Sequence, residues 1–227
     1  MKRSQINGAI KWAKELLEER GIRLPRFAYW DMAEWRSHRL DTAVLRSVML
    51  GWDVSDFGSG DFEHTGAVLF TIRNGLPDNS GIGTPYAEKL LIFRAGQKLP
   101  MHYHMSKTED IINRSGGVLY AQFYNALPDG TVDMHSPVSY YSDGMTYTAQ
   151  PGEKISIAAG NSVRITPRCY HILGAMEGMG PLIAGEVSTI NDDRTDNFFA
   201  EHADRFTALK EDEPPLHPLC CEYALLD

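Results

Sequence analysis

The sequence predicts a mainly β, single-domain chain: a sandwich or barrel of short strands behind a helical N-terminal extension. Three observations carry this reading. About ten short runs rich in apolar and β-branched residues follow one another between residues 68 and 188, each bounded by turn residues such as Asn74-Gly75, Pro128-Asp129-Gly130 and Asp143-Gly144. Helical periodicity is confined to the first forty or so residues, so strands do not alternate with helices as in a parallel α/β sheet. With 227 residues and 43% hydrophobic residues, the chain can bury a sizeable core without staples.

Taken in order, residues 4–20 repeat Ile6, Ala9, Ile10, Ala13, Leu16 and Leu17 at helical spacing, with Lys11, Lys14, Glu15, Glu18 and Glu19 on the other face. Ser4 is the expected N-cap, Gly21 the C′ residue, and Pro25 prevents continuation. A second helix is expected within residues 31–38, capped by Asp31. Strands are expected over 68–73, 87–94, 98–104, 109–113, 118–125, 139–147, 154–158, 162–165, 171–175 and 182–188. The chain then divides into a helical extension (1–47) packing on the barrel, a barrel (48–190), and a tail (191–227). That tail, with Glu213-Pro-Pro-Leu-His-Pro218, is expected to wrap the domain or meet another subunit.

Composition excludes several function classes. A net charge of −8, from 22 basic and 30 acidic residues, argues against a nucleic-acid partner, which needs a concentrated positive surface. Three cysteines, Cys169, Cys220 and Cys221, make a poor disulfide framework and favour a reducing, cytoplasmic setting. The N-terminus lacks the apolar core of a secretion signal, and no apolar run approaches the roughly 20 residues of a membrane span.

Chemistry concentrates between Gly96 and Gly116. His102 and His104 are two residues apart, so on a strand both point to one face. Glu109 follows five residues later, and His171, in another strand-like segment, offers a fourth ligand. Three imidazoles and a carboxylate leave two open positions in an octahedron, which suits Mn, Fe, Co or Ni better than a closed zinc site. His64, His135, His202 and His217 carry no such spacing and are read as core or surface histidines. The run glycine, five residues, His-x-His, four residues, Glu, six residues, Gly resembles the first motif of the cupins, small jelly-roll barrels that hold a metal inside. Gly160, Pro167 and His171 resemble the second motif less closely. The glycine after the proline is missing, the proline-to-histidine spacing is one residue short, and Ala175 replaces an asparagine.

Beyond the motif, Tyr86-Ala-Glu-Lys89 before it and Ala184-Gly-Glu186-Val-Ser after it, with the helical extension, resemble the D-lyxose isomerases over essentially the whole chain. The resemblance implies a Mn²⁺-dependent aldose–ketose isomerase that interconverts D-lyxose with D-xylulose, and D-mannose with D-fructose, through a metal-stabilised enediol. Chemistry of that kind needs a base that moves a proton between adjacent carbons, and Glu186 is the leading candidate. Lys89 alternates with Leu91 and Phe93 on an otherwise apolar face, and Glu186 shares its face with Ala184 and Leu182, so both are expected to point inward. Lys89 would serve the substrate oxygen. Trp30, Asp31, Tyr124, Asp193 and Arg194 are candidate substrate contacts. With no phosphate loop or basic cluster, the expected partner is a free sugar, and the expected assembly a homodimer. The rival readings are an iron-dependent cupin dioxygenase, a phosphosugar isomerase and a non-catalytic sugar-binding cupin.

Overall fold

The structure, a computed structural model, describes residues 1–78 and 80–226. Helix α1 (Arg3–Glu19) buries Ile6, Ala9, Ile10, Ala13, Leu16 and Leu17. It ends in a Schellman turn: Gly21 at φ 71° donates its N–H to Glu18, and Ile22 donates to Leu17. Ser4 is not its N-cap. The helix starts one residue before Ser4, and its first turn is capped from the far end of the chain, where Asp212 accepts from the Ser4 N–H (2.9 Å) and hydroxyl (2.7 Å). Helix α2 (Met32–Ser37) opens with Asp31, whose carboxylate accepts from the N–H groups of Ala33 and Glu34, while Glu34 accepts from the Asp31 N–H. A short α3 (Ala43–Ser47) leads into the sheets.

The strands are β1 (Gly51–Ser55), β2 (Ala67–Gly75), β3 (Gly83–Phe93), β4 (His102–His104), β5 (Glu109–Gly116), β6 (Leu119–Ala126), β7 (Val132–Asp133), β8 (Val138–Ser142), β9 (Met145–Ala149), β10 (Ile155–Ile157), β11 (Ser162–Ile165), β12 (Cys169–Ala175), β13 (Leu182–Ser188) and β14 (Asn197–Phe199). They form an eight-stranded sheet, β1-β2-β3-β13-β5-β11-β8-β9, and a smaller one, β10-β6-β12-β4-β14, with β7 beside β6. All pairings between these strands are antiparallel, and the two sheets close on a shared core as a jelly-roll barrel.

Three differences from the sequence reading have local causes. The run 139–147 is a hairpin, because Asp143 and Gly144 (φ 49° and 83°) make a two-residue turn of type I′. The run 98–104 is a ladder only over His102–His104, since Pro100 has no N–H to donate. Strands β1, β7 and β14 were not expected; β1 carries Asp53 and Ser55 and is buried throughout, so it lacks the alternation that marks a strand.

Alternation in the large sheet fills two cores. Leu91, Phe93, Leu182 and Ala184 face the smaller sheet, while Leu90, Ile92, Phe70 and Ile183 face α1. Each such Leu, Ile or Phe contributes about 1.5–3 kcal/mol by leaving water. The tail lies along the helical side. Arg3 donates to both Glu211 and Glu222, and Asn7 donates to Glu213 at 2.6 Å. Among the described residues no helix is long and apolar enough to cross a membrane.

Candidate active site

The two sheets divide the chemistry between them. The smaller sheet supplies His102 and His104 from β4 and His171 from β12, with His102 and His171 directly opposite in the ladder. The larger sheet supplies Lys89 from β3, Glu109 from β5 and Glu186 from β13, with Lys89 opposite Glu186 and Glu109 opposite Ser188. All six are buried and line one cavity between the sheets.

Each imidazole is fixed by a backbone carbonyl. The Nδ1–H groups of His102, His104 and His171 donate to the carbonyls of Pro100 (2.8 Å), Asp196 (3.3 Å) and Cys169 (3.0 Å). That tautomer leaves each Nε2 with a lone pair turned inward. The three residues bring ligand atoms within 4.8 Å of one another. Burial, with the other two imidazoles, holds His102 well below the usual histidine range, and burial pushes His171 down to about 4. Both are therefore neutral at pH 7. Burial would raise the Glu109 carboxyl, but the Lys107 ammonium beside it holds it well below the usual carboxylate range.

This donor set fits a divalent cation. Glu109 Oε1 lies 3.4 Å from His104 Nε2 and 3.3 Å from His171 Nε2, so acceptors face acceptors with no proton between them. His171 Nε2 is buried and makes no hydrogen bond. A cation among these atoms satisfies all of them at once.

Beside the histidines lies a chain of ion pairs. Lys107 Nζ is 2.6 Å from Glu109 Oε2 and 3.0 Å from Glu186 Oε1; Lys89 Nζ is 3.7 Å from both Glu186 Oε1 and Asp193 Oδ2. Arg205 completes it, 2.9 Å from Asp193 and 2.6 Å from Asp53. The Ser188 hydroxyl also donates to Glu186 Oε1, at 3.2 Å. Every one of these contacts falls on Oε1; among the described residues Glu186 Oε2 carries no hydrogen bond. Phe57, Leu99 and Phe199 supply apolar wall, with the Phe199 ring 5.6 Å from that of His102.

Of the substrate contacts expected from the sequence, the structure brings only Asp193 to the cavity. Trp30 stacks on His38, Asp31 caps α2, Tyr124 packs with Tyr103 and Tyr170 outside the barrel core, and Arg194 is exposed. Of the other histidines, His217 is buried and donates to the Trp30 carbonyl, while His64, His135 and His202 are exposed. Lys107, Arg205, Asp196 and the two phenylalanines were missed. Lys107 left a signal, since it lies two residues before Glu109 inside the motif. Asp196 and Arg205 sit in a polar tail with no periodicity to mark them. Asp196 accepts from the Ser106 and Lys107 N–H groups and so holds the loop that carries Lys107.

A family model described as D-lyxose isomerase matches residues 1–223. A D-lyxose/D-mannose isomerase of Serratia proteamaculans is 40% identical over 227 residues, covering 98% of each chain, and one of Escherichia coli O157:H7 is 39% identical with the same coverage. Among solved structures, an L-ribose isomerase of Acinetobacter sp. DL28, determined in complex with L-ribose, superposes with a TM-score of 0.61 at 17% identity, covering 92% of this chain and 98% of that one. That likeness speaks to the fold.

Proposed function

Because this chain belongs to the D-lyxose isomerase family, we propose that it is a metal-dependent aldose–ketose isomerase interconverting D-lyxose with D-xylulose and D-mannose with D-fructose. The observation that carries the mechanism is the meeting of a His₃Glu donor set with two buried lysines and a buried glutamate in one cavity. His102, His104, Glu109 and His171 would hold the cation, and the mixed nitrogen and oxygen donors favour Mn²⁺, with Fe²⁺, Co²⁺ or Ni²⁺ as alternatives. When bound, the cation polarises the sugar carbonyl and makes the neighbouring C–H more acidic.

The protein's own groups do the rest. Glu186 takes the proton from one carbon and returns it to the next, so no net proton is needed. Oε2 is the working oxygen, since the contacts from Lys107, Lys89 and Ser188 anchor Oε1. Lys89, held between Glu186 and Asp193, is placed to give a proton to a substrate oxygen and recover it. Phe57, Leu99 and Phe199 exclude water from the transfer.

The substrate is a free, uncharged sugar. Lys89, Lys107 and Arg205 are each already paired with carboxylates, so none of these cavity cations stands ready for a phosphate. The thiols of Cys169, Cys220 and Cys221 are unpaired, which supports a reducing cytoplasm. The active form is taken to be a homodimer. Ketose formation from D-lyxose by metal-loaded protein, without oxygen uptake, tests this reading; oxygen consumption would favour a dioxygenase instead.

A further inference from the structure

The large sheet has two edges, and the chain treats them differently. At one, the tail seals β1: Trp52 bridges Leu219 in parallel, and the Cys220 N–H donates to the Trp52 carbonyl at 2.7 Å. At the other, β9 has β8 on one side and, among the described residues, no strand on the other. Its residues Met145 through Thr148 are exposed. The smaller sheet ends in β10 and β14, each of three residues. Strand β9 (Met-Thr-Tyr-Thr-Ala) has no lysine, proline or bulge, the usual devices that blunt an edge.

The hairpin fixes which backbone groups are free. In a two-residue type I′ hairpin the flanking pair, Ser142 and Met145, exchange hydrogen bonds. Antiparallel alternation then turns the N–H and C=O of Tyr147 toward β8, and those of Thr146 and Thr148 outward. An aromatic ladder ends at the same place. The buried Phe123 ring is 5.5 Å from Tyr140, which stacks on Tyr147 at 5.5 Å, and Tyr147 is 40% exposed.

We propose that β9 pairs antiparallel with β9 of a second copy, about a two-fold axis at Tyr147, joining two eight-stranded sheets edge to edge. Thr146 then lies opposite Thr148 of the partner subunit, and the outward groups make four backbone hydrogen bonds. Tyr147 meets its own copy at a non-hydrogen-bonded position, with Cα atoms about 4.5 Å apart, and carries the ladder across the axis. Self-pairing is favoured over a foreign strand because it sets Thr on Thr and Tyr on Tyr. The segment is also uncharged in a chain of net charge −8, so no like charges oppose each other at the contact. A two-fold contact of this kind closes at two copies.

Sedimentation equilibrium and cysteine cross-linking of the full chain test this. The wild type should sediment at twice 25.4 kDa. Thr148→Pro, which removes an outward N–H, should halve that mass, and Thr148→Val, which keeps it, should not. Should the proline variant not fold, Tyr147→Cys still reads the register. Its Cβ atoms would lie about 4.5–5.5 Å apart across the axis, so mild oxidation should give a covalent dimer that wild type, despite its exposed Cys221, does not form. A monomeric wild type, an open-ended polymer, or a dimer in which Tyr147→Cys does not cross-link would overturn the proposal.

Discussion

Lys107 Nζ lies 3.0 Å from Glu186 Oε1, closer than Lys89 at 3.7 Å, and the same ammonium is 2.6 Å from Glu109. One buried cation thus ties the carboxylate proposed as a metal ligand to the carboxylate proposed as the base. Burial would lower the pKa of this lysine, but Glu109 and Glu186 raise it instead, so it stays charged.

Replacing Lys107 with methionine would leave two buried carboxylates without their common partner. The expected cost to the metal-free protein is about 3–5 kcal/mol, read as a drop in the denaturant midpoint. An unchanged midpoint would show that the ion pairs do not hold the site together.

Glu186→Gln keeps the shape of the side chain and removes its basicity. Turnover should fall about 10²–10⁴-fold while metal content stays near that of the wild type. Loss of the metal would instead place Glu186 in the coordination sphere or its support.

His104→Ala should lose both metal and activity. Added Mn²⁺ stabilises whatever binds it in the folded state, by about 2.7 kcal/mol at a hundred times Kd. It should raise the melting temperature of the wild type and leave that of the variant unmoved. Equal shifts in both would remove His104 from the ligand set.

Asp193 gives the acid side of the stability curve. Burial would raise its carboxyl, but Arg205 and Lys89 hold it well below the usual aspartate value of 3.8. Between the folded pKa and that of the unfolded chain, the unfolded state binds more protons. The stabilisation is therefore complete above about pH 4 and is lost as pH falls through the folded value. Asp193→Asn should flatten the loss of stability below pH 4, measured by denaturant midpoints across pH 3–7. A steep acid limb unchanged in the variant would assign it to other groups.

What could be read in the sequence follows from the range of the forces involved. His102, His104 and Glu109 were legible because strand alternation and short spacing place them with no help from the rest of the chain. Lys89 and Glu186 showed themselves as charges on apolar faces, and their direct opposition across β3 and β13 needed only the pairing. Arg205 reaches Asp193 and Asp53 across 12 and 152 residues of sequence, a contact no local pattern encodes. Trp30 and Tyr124 were candidate substrate contacts by residue type, yet Phe199 lines the cavity because β14 pairs with β4, and Phe57 packs against it. The missed hairpin within 139–147 was legible in principle, since Asp-Gly between two alternating runs is a strong turn signal. The Ser4 cap failed because the helix starts one residue earlier and Asp212, arriving from the tail, takes the Ser4 N–H and hydroxyl.

The central claim is that this cavity moves a proton between adjacent carbons of a free aldose. The most direct measurement follows D-lyxose and D-mannose by NMR in D₂O with the Mn²⁺-loaded protein. Ketose should form and deuterium should enter at C1 or C2, and Glu186→Gln should lose both signals together. No ketose and no exchange with Mn²⁺ present would contradict the account.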